Sequence, residues 1–143
     1  MAKRRPSKFI NEPTKTTPAI VLEPGRILIM GRSILENPGE FYRPVIERIS
    51  NYFSHKDGKT KIIFGFEYIN TSSTKWIYAI FLKLAKARNL AEHAKIVWYY
   101  EQGDEDMCDL GYTFKSMVKC PFFVVEVDGI SKKSFKQMVS DSL

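Results

Sequence analysis

Residues 61–88 read KIIFGFEYINTSSTKWIYAIFLKLAKAR, and the change of pattern inside this stretch decides the fold. Over 61–69 the chain is dense in Ile, Phe and Tyr, side chains that suit a pleated, buried surface, and it predicts a strand. The next six residues, Asn70 to Lys75, are all polar. Beyond them Trp76, Ile77, Ile80, Phe81, Leu84 and Ala87 recur at three-to-four spacing, the mark of an amphipathic helix. Lys83, Lys86 and Arg88 lie toward its end, where cations complement the helix dipole.

On the amino-terminal side, β-rich runs at 20–23 and 26–31 are separated by Pro24-Gly25, a turn dipeptide, and predict a hairpin. Asn37-Pro38 then supplies a cap and a first-position proline for a helix. Its inner face is Phe41, Tyr42, Val45, Ile46, Ile49, Tyr52 and Phe53, and it ends near Asp57-Gly58. On the carboxyl-terminal side, 95–101 reads as a strand. Gly103-Asp104 opens an amphipathic helix with Met107, Leu110, Phe114, Met117 and Val118 inward, and 121–127 is the last strand. Strands alternating with helices build right-handed crossovers. The expectation is one α/β domain over 18–128: a mixed, mostly parallel sheet with an N-terminal hairpin and about three helices. It is flanked by a flexible basic arm (1–17) and a C-terminal tail (129–143).

A chain of 143 residues, 44% of them hydrophobic, can bury a core without disulfide or metal staples. Its longest apolar run, 76–82, is too short to span a membrane, and the basic start has no apolar stretch behind it, so no secretory signal is read. Cys108, Cys120, His55 and His93 lack zinc-ligand spacing, and the cysteines read as reduced, buried thiols of a cytoplasmic protein. The two histidines have no neighbouring pattern that supports catalysis. The net charge of +6 resides in the ends: residues 18–128 carry fourteen basic and fourteen acidic groups. A neutral folded part argues against a nucleic-acid face.

Chemistry concentrates where the strand meets the helix. One side chain suffices to cap a helix, yet Asn70, Thr71, Ser72, Ser73 and Thr74 stand in a row before Lys75 and Trp76. Free backbone N–H groups and the positive dipole end favour an anion there, bound or covalent. No glycine-rich nucleotide loop is present. Simple capping and a regulatory or anion site both fit. The acids Asp104, Glu105, Asp106 and Asp109 are the competing cluster. They could hold a magnesium ion, or merely sit at a helix start that stabilises them. In a parallel sheet this turn shares the carboxyl rim with Thr71.

The run 66–75, FEYINTSSTK, resembles the signature of the SiaC family of bacterial biofilm-regulation phosphoproteins. Val97-Trp98-Tyr99-Tyr100-Glu101 and Gly103-Asp104-Glu105-Asp106-Met107 are similar to the family's second motif; Asn37-Pro38 with Phe41 and Tyr42, and Pro121-Phe122, fit the same pattern. The resemblance covers about residues 18–128. It implies a non-enzymatic signalling switch with a fold like that of STAS domains, the anti-sigma-factor antagonists, and no cofactor. It implies Thr71 as the residue phosphorylated by a dedicated Ser/Thr kinase and restored by a metal-dependent Ser/Thr phosphatase. The unphosphorylated form would bind and activate a diguanylate cyclase. Asn70, Ser72, Ser73, Lys75, Trp76, Asp104, Glu105 and Asp106 are the expected partner-binding rim. The alternative is a small magnesium-dependent phosphate-binding enzyme using the Asn70 to Lys75 turn with Asp104 and Asp106.

Overall fold

A computed structural model describes residues 8–53, 59–88 and 90–130. Its elements are β1 (Phe9–Asn11), β2 (Ala19–Glu23), β3 (Arg26–Ser33), α1 (Pro38–Phe53), β4 (Thr60–Ile69), α2 (Thr71–Ala85), α3 (Leu90–His93), β5 (Ala94–Glu101), α4 (Glu105–Lys115) and β6 (Phe122–Val127). The six strands lie side by side in chain order. β1, β2 and β3 pair antiparallel; β3 to β6 are parallel. The turn joining β2 to β3 is Pro24-Gly25, with Gly25 at φ +87°, a conformation that glycine adopts without strain.

The expected mixed, mostly parallel α/β sheet with its hairpin is present, and three details go beyond the expectation. The hairpin is a three-stranded meander, because Phe9, Ile10 and Asn11, inside the stretch read as an arm, pair with Leu22, Val21 and Ile20. A three-residue strand is too short to show a period; it forms because Phe9 packs on the core under the Arg48 guanidinium, 4.4 Å from its ring. There are four helices among the described residues, the extra one being the single turn α3. The polar run 71–75 is the first turn of α2 itself, not a preface to it. Residues 1–7, His55, Asp57-Gly58 and 131–143 lie outside the described residues.

Each right-handed crossover steps the same way, so α1, α2 and α4 collect on one face of the sheet. The strand residues facing them, among them Ile27, Ile29, Ile62, Phe64, Phe66, Ile96 and Trp98, form the main core with Tyr42, Val45, Ile49, Ile77, Ile80, Phe81, Leu84, Met107 and Phe114. Trp98 is its centre, ringed by Phe64, Phe66, Phe81 and Phe114 at centroid distances of 5.6, 5.8, 6.2 and 5.3 Å. The alternate strand residues, including Ala19, Leu28, Met30 and Ile63, form a second cluster on the helix-free face.

Candidate functional site at the carboxyl rim

Parallel pairing of β3, β4, β5 and β6 brings the carboxyl ends of all four strands to one rim. α2 starts there after β4, and α4 starts there after the neighbouring β5. The expected juxtaposition of the Thr71 turn and the Asp104 turn on one edge is therefore present.

Asn70, not a hydroxyl residue, caps α2. Its backbone is extended, at φ −78° and ψ 166°, and its Oδ1 accepts from the Ser73 N–H at 3.0 Å. Its Nδ2 donates to the Leu35 carbonyl at 3.0 Å, and its own N–H donates to Ser33 O at 2.9 Å, so one side chain both caps the helix and ties it to the connection after β3. Three of the four hydroxyls that follow have structural positions. Ser72 Oγ donates to Leu35 O at 3.0 Å, and Thr74 Oγ1 donates to Asn70 O at 3.0 Å. Ser73 is fully buried, its Oγ without a partner among the described residues. Thr71 differs from all three. It is the first residue of α2, it is exposed, and its hydroxyl takes no hydrogen bond among the described residues.

Lys75 is exposed one turn on, whereas Trp76 is only partly so. Trp76 lies against Gly39 of α1, where a Cβ would come within 2.9 Å of its ring, and Arg43 sits 5.5 Å from its centroid. Trp76 thus locks α1 to α2 while leaving an edge to solvent. Two apolar rim residues escaped the sequence reading: Tyr68, 54% exposed at the end of β4, and Ile34, 39% exposed after β3. Neither breaks a periodic pattern, so only the three-dimensional rim reveals them. Beside them Arg32 holds Glu67 through two hydrogen bonds of 2.9 and 3.0 Å. That paired guanidinium keeps the Glu67 carboxyl below the usual carboxylate range.

The acid cluster is built as a helix start. Asp104 is the N-cap of α4, its Oδ1 accepting from the Met107 N–H at 3.1 Å, and Glu105 and Asp106 are exposed in the first turn. Among the described residues no group of three His, Cys, Asp or Glu side chains is arranged to hold a metal ion. The magnesium reading therefore gains no ligand set here. His93 closes α3, immediately before the amino end of β5 and away from the rim. The cysteines are partly rather than fully buried. The Cys108 thiol first, and burial second, push the Tyr100 phenol up to about 12; burial raises the Cys120 thiol.

A sheet with helices on one face and a polar helix start at its carboxyl rim defines an α/β domain that presents, rather than encloses, its chemistry. Residues 11–127 match the family model described as SiaC family regulatory phosphoprotein, and the chain belongs to that family. It is 26% identical over 113 residues to an uncharacterised protein of Pseudomonas aeruginosa (strain UCBPP-PA14), covering 78% of this chain and 90% of that one. The crystal structure of apo-SiaC from Pseudomonas aeruginosa is similar at 25% identity and a TM-score of 0.72, over 82% of this chain and 98% of that one. A second similar structure, at 24% identity and a TM-score of 0.72 over 83% and 99% of the two chains, is SiaC from the same organism in complex with the diguanylate cyclase SiaD, which it activates. No described helix is long and apolar enough to cross a membrane.

Proposed function

We propose that this chain is a non-enzymatic, phosphorylation-controlled activator of a diguanylate cyclase, switched at Thr71. A dedicated kinase moves a phosphoryl group onto the Thr71 hydroxyl, and a metal-dependent Ser/Thr phosphatase hydrolyses it; the unphosphorylated form docks on the cyclase. The observation that carries this reading is the division of labour among the four hydroxyls. Ser72, Ser73 and Thr74 are bonded or buried, and Thr71 alone of the four is exposed at the helix start with its hydroxyl unengaged.

Phosphate at this position adds a charge of about −1.5 to −2, which the amino end of α2 favours, so modification leaves the fold intact. Its effect falls on the surface. The rim of Tyr68, Lys75 and the edge of Trp76 must be desolvated by a partner, and a phosphate beside it raises that cost and repels acidic groups. Glu105 and Asp106 on the same rim already carry negative charge. Asn70, Ser72, Ser73 and Asp104 then serve the site by shaping it rather than by touching the partner. The reaction chemistry belongs to the kinase, phosphatase and cyclase, all of the cytoplasm, where Cys108 and Cys120 stay reduced.

The test is the activity of a SiaD-type diguanylate cyclase titrated with this protein, with Thr71→Ala, with Thr71→Glu and with Ser72→Ala as a control. Wild type and Thr71→Ala should bind alike, and Thr71→Glu at least about tenfold more weakly. Equal binding by Thr71→Ala and Thr71→Glu would remove the switch.

A further inference from the structure

The neutrality of the folded part is a sum over the whole domain, and its cations are not spread evenly. Where β3 to β6 begin, residues 23–26, 59–61, 86–88, 90–95 and 115–121 hold eight Lys and Arg against two acids, Glu23 and Glu92. The acids that balance them include Glu101, Asp104, Glu105 and Asp106 at the carboxyl rim, the length of β4 away. That is about 30 Å, roughly three times the screening length of physiological salt, so the basic end keeps its own field.

Helix ends explain part of this pole. Lys86 caps α2 and Lys115 closes α4, where cations complement the dipole. The strands are not explained that way. In register, Arg26 of β3 stands beside Lys61 of β4, and Lys61 beside Lys95 of β5, a row of three cations across neighbouring strands. Arg26 is neutralised by Glu23 at 2.6 Å, whereas Lys61 and Lys95 have no carboxylate partner among the described residues. Like charges directly opposite in a sheet cost stability, so nothing in the fold accounts for the pair. Lys95 Nζ lies 5.1 Å from the ring centroid of Phe123, which is 48% exposed, and Lys59 and Lys119 are exposed at the same end of the sheet.

We infer that this pole docks on an anionic lipid surface. Of its cations other than the paired Arg26, all but Arg88 are lysines. A lysine is a point charge that suits a diffuse layer of headgroups, whereas recognition of nucleic acid favours the forked guanidinium. The exposed Phe123 among the lysines adds an apolar contact at headgroup depth. So held, the molecule turns its carboxyl rim away from the bilayer, and the exposed Thr71 stays open to protein partners.

The test is flotation of the full chain with vesicles of phosphatidylglycerol and phosphatidylcholine in equal parts, against vesicles of phosphatidylcholine alone. Binding to the first only, falling as salt is raised, is the expected result. Lys61→Gln combined with Lys95→Gln removes two surface charges and relieves the repulsion between them. Affinity should drop at least about tenfold while stability to urea is unchanged or higher, and Glu105→Gln at the rim should bind as wild type does. No binding to the anionic vesicles would overturn the proposal. So would binding that survives the double change and disappears in Lys3→Ser, Arg4→Ser, Arg5→Ser, which would place it in the amino-terminal arm. Capture of duplex DNA in place of vesicles, or self-association in place of either, would also overturn it, assigning the pole to nucleic acid or to the acidic rim of a second copy.

Discussion

Thr71 and Asn70 are adjacent and do opposite work. Asn70 is engaged at both ends of its amide, so Asn70→Ala removes a cap and one of the two hydrogen bonds to the Leu35 carbonyl, and should cost about 1–2 kcal/mol in urea unfolding. Asn70→Asp keeps the cap acceptor, loses the donor, and should fall between. Thr71→Ala touches no bonded group and should stay within about 0.5 kcal/mol of wild type. The Arg32–Glu67 pair supplies a second check at this scale. Because the folded-state pKa of Glu67 lies below its unfolded value, the pair's contribution is present above about pH 4.3 and is lost as pH falls through the folded pKa. An NMR titration should find the Glu67 carboxyl below the ordinary range, returning toward it in Arg32→Gln; both groups are near the surface, so the stability effect is small. The run of hydroxyls was legible as unusual, but which one was free depended on Leu35, thirty-five residues from Asn70, and on the burial of Ser73.

Among the elements, the long ones were legible because their periods are strong: β4, α2, β5 and α4 lie within a few residues of where the pattern put them. β1 and α3, at three and four residues, span little more than one period of their patterns, too little to repeat, and depend on tertiary pairing. Equally hidden were the contacts by which two glycines set helix approach. Gly111 lets α4 press on Trp98: a Cβ there would come 2.5 Å from Trp98 Cδ1, and the indole cannot retreat while its Nε1–H donates to Met107 O at 3.0 Å. In a free helix Gly→Ala would gain about 0.5–1 kcal/mol. The clash outweighs that gain, and Gly111→Ala should lose about 1–3 kcal/mol in thermal or chemical unfolding. Trp98→Phe in the same chain should cost less than the sum of the two single changes, because the smaller ring vacates the contact.

At the scale of the whole molecule, sequential strand order with same-handed crossovers gives the domain two unlike faces and one chemical edge. Its charge is distributed to match: the neutral body over 18–128 leaves the net +6 to the ends, so a charge added at the rim stands out against a balanced background. The two tryptophans report separately on this arrangement. Trp98 is wholly buried and Trp76 is partly open beside the rim. Acrylamide should quench the Trp98→Phe protein, which retains Trp76, and barely touch Trp76→Phe; docking of a cyclase should protect Trp76 alone. The central claim is that one hydroxyl carries the signal, and site-localised phosphopeptide mapping of the protein isolated from its own cells tests it most directly. A single phosphate on Thr71 is expected, removed by phosphatase treatment, with Ser72, Ser73 and Thr74 unmodified. Phosphate on one of those three instead, or a Thr71 unmodified in every growth condition even with its phosphatase deleted, would contradict it.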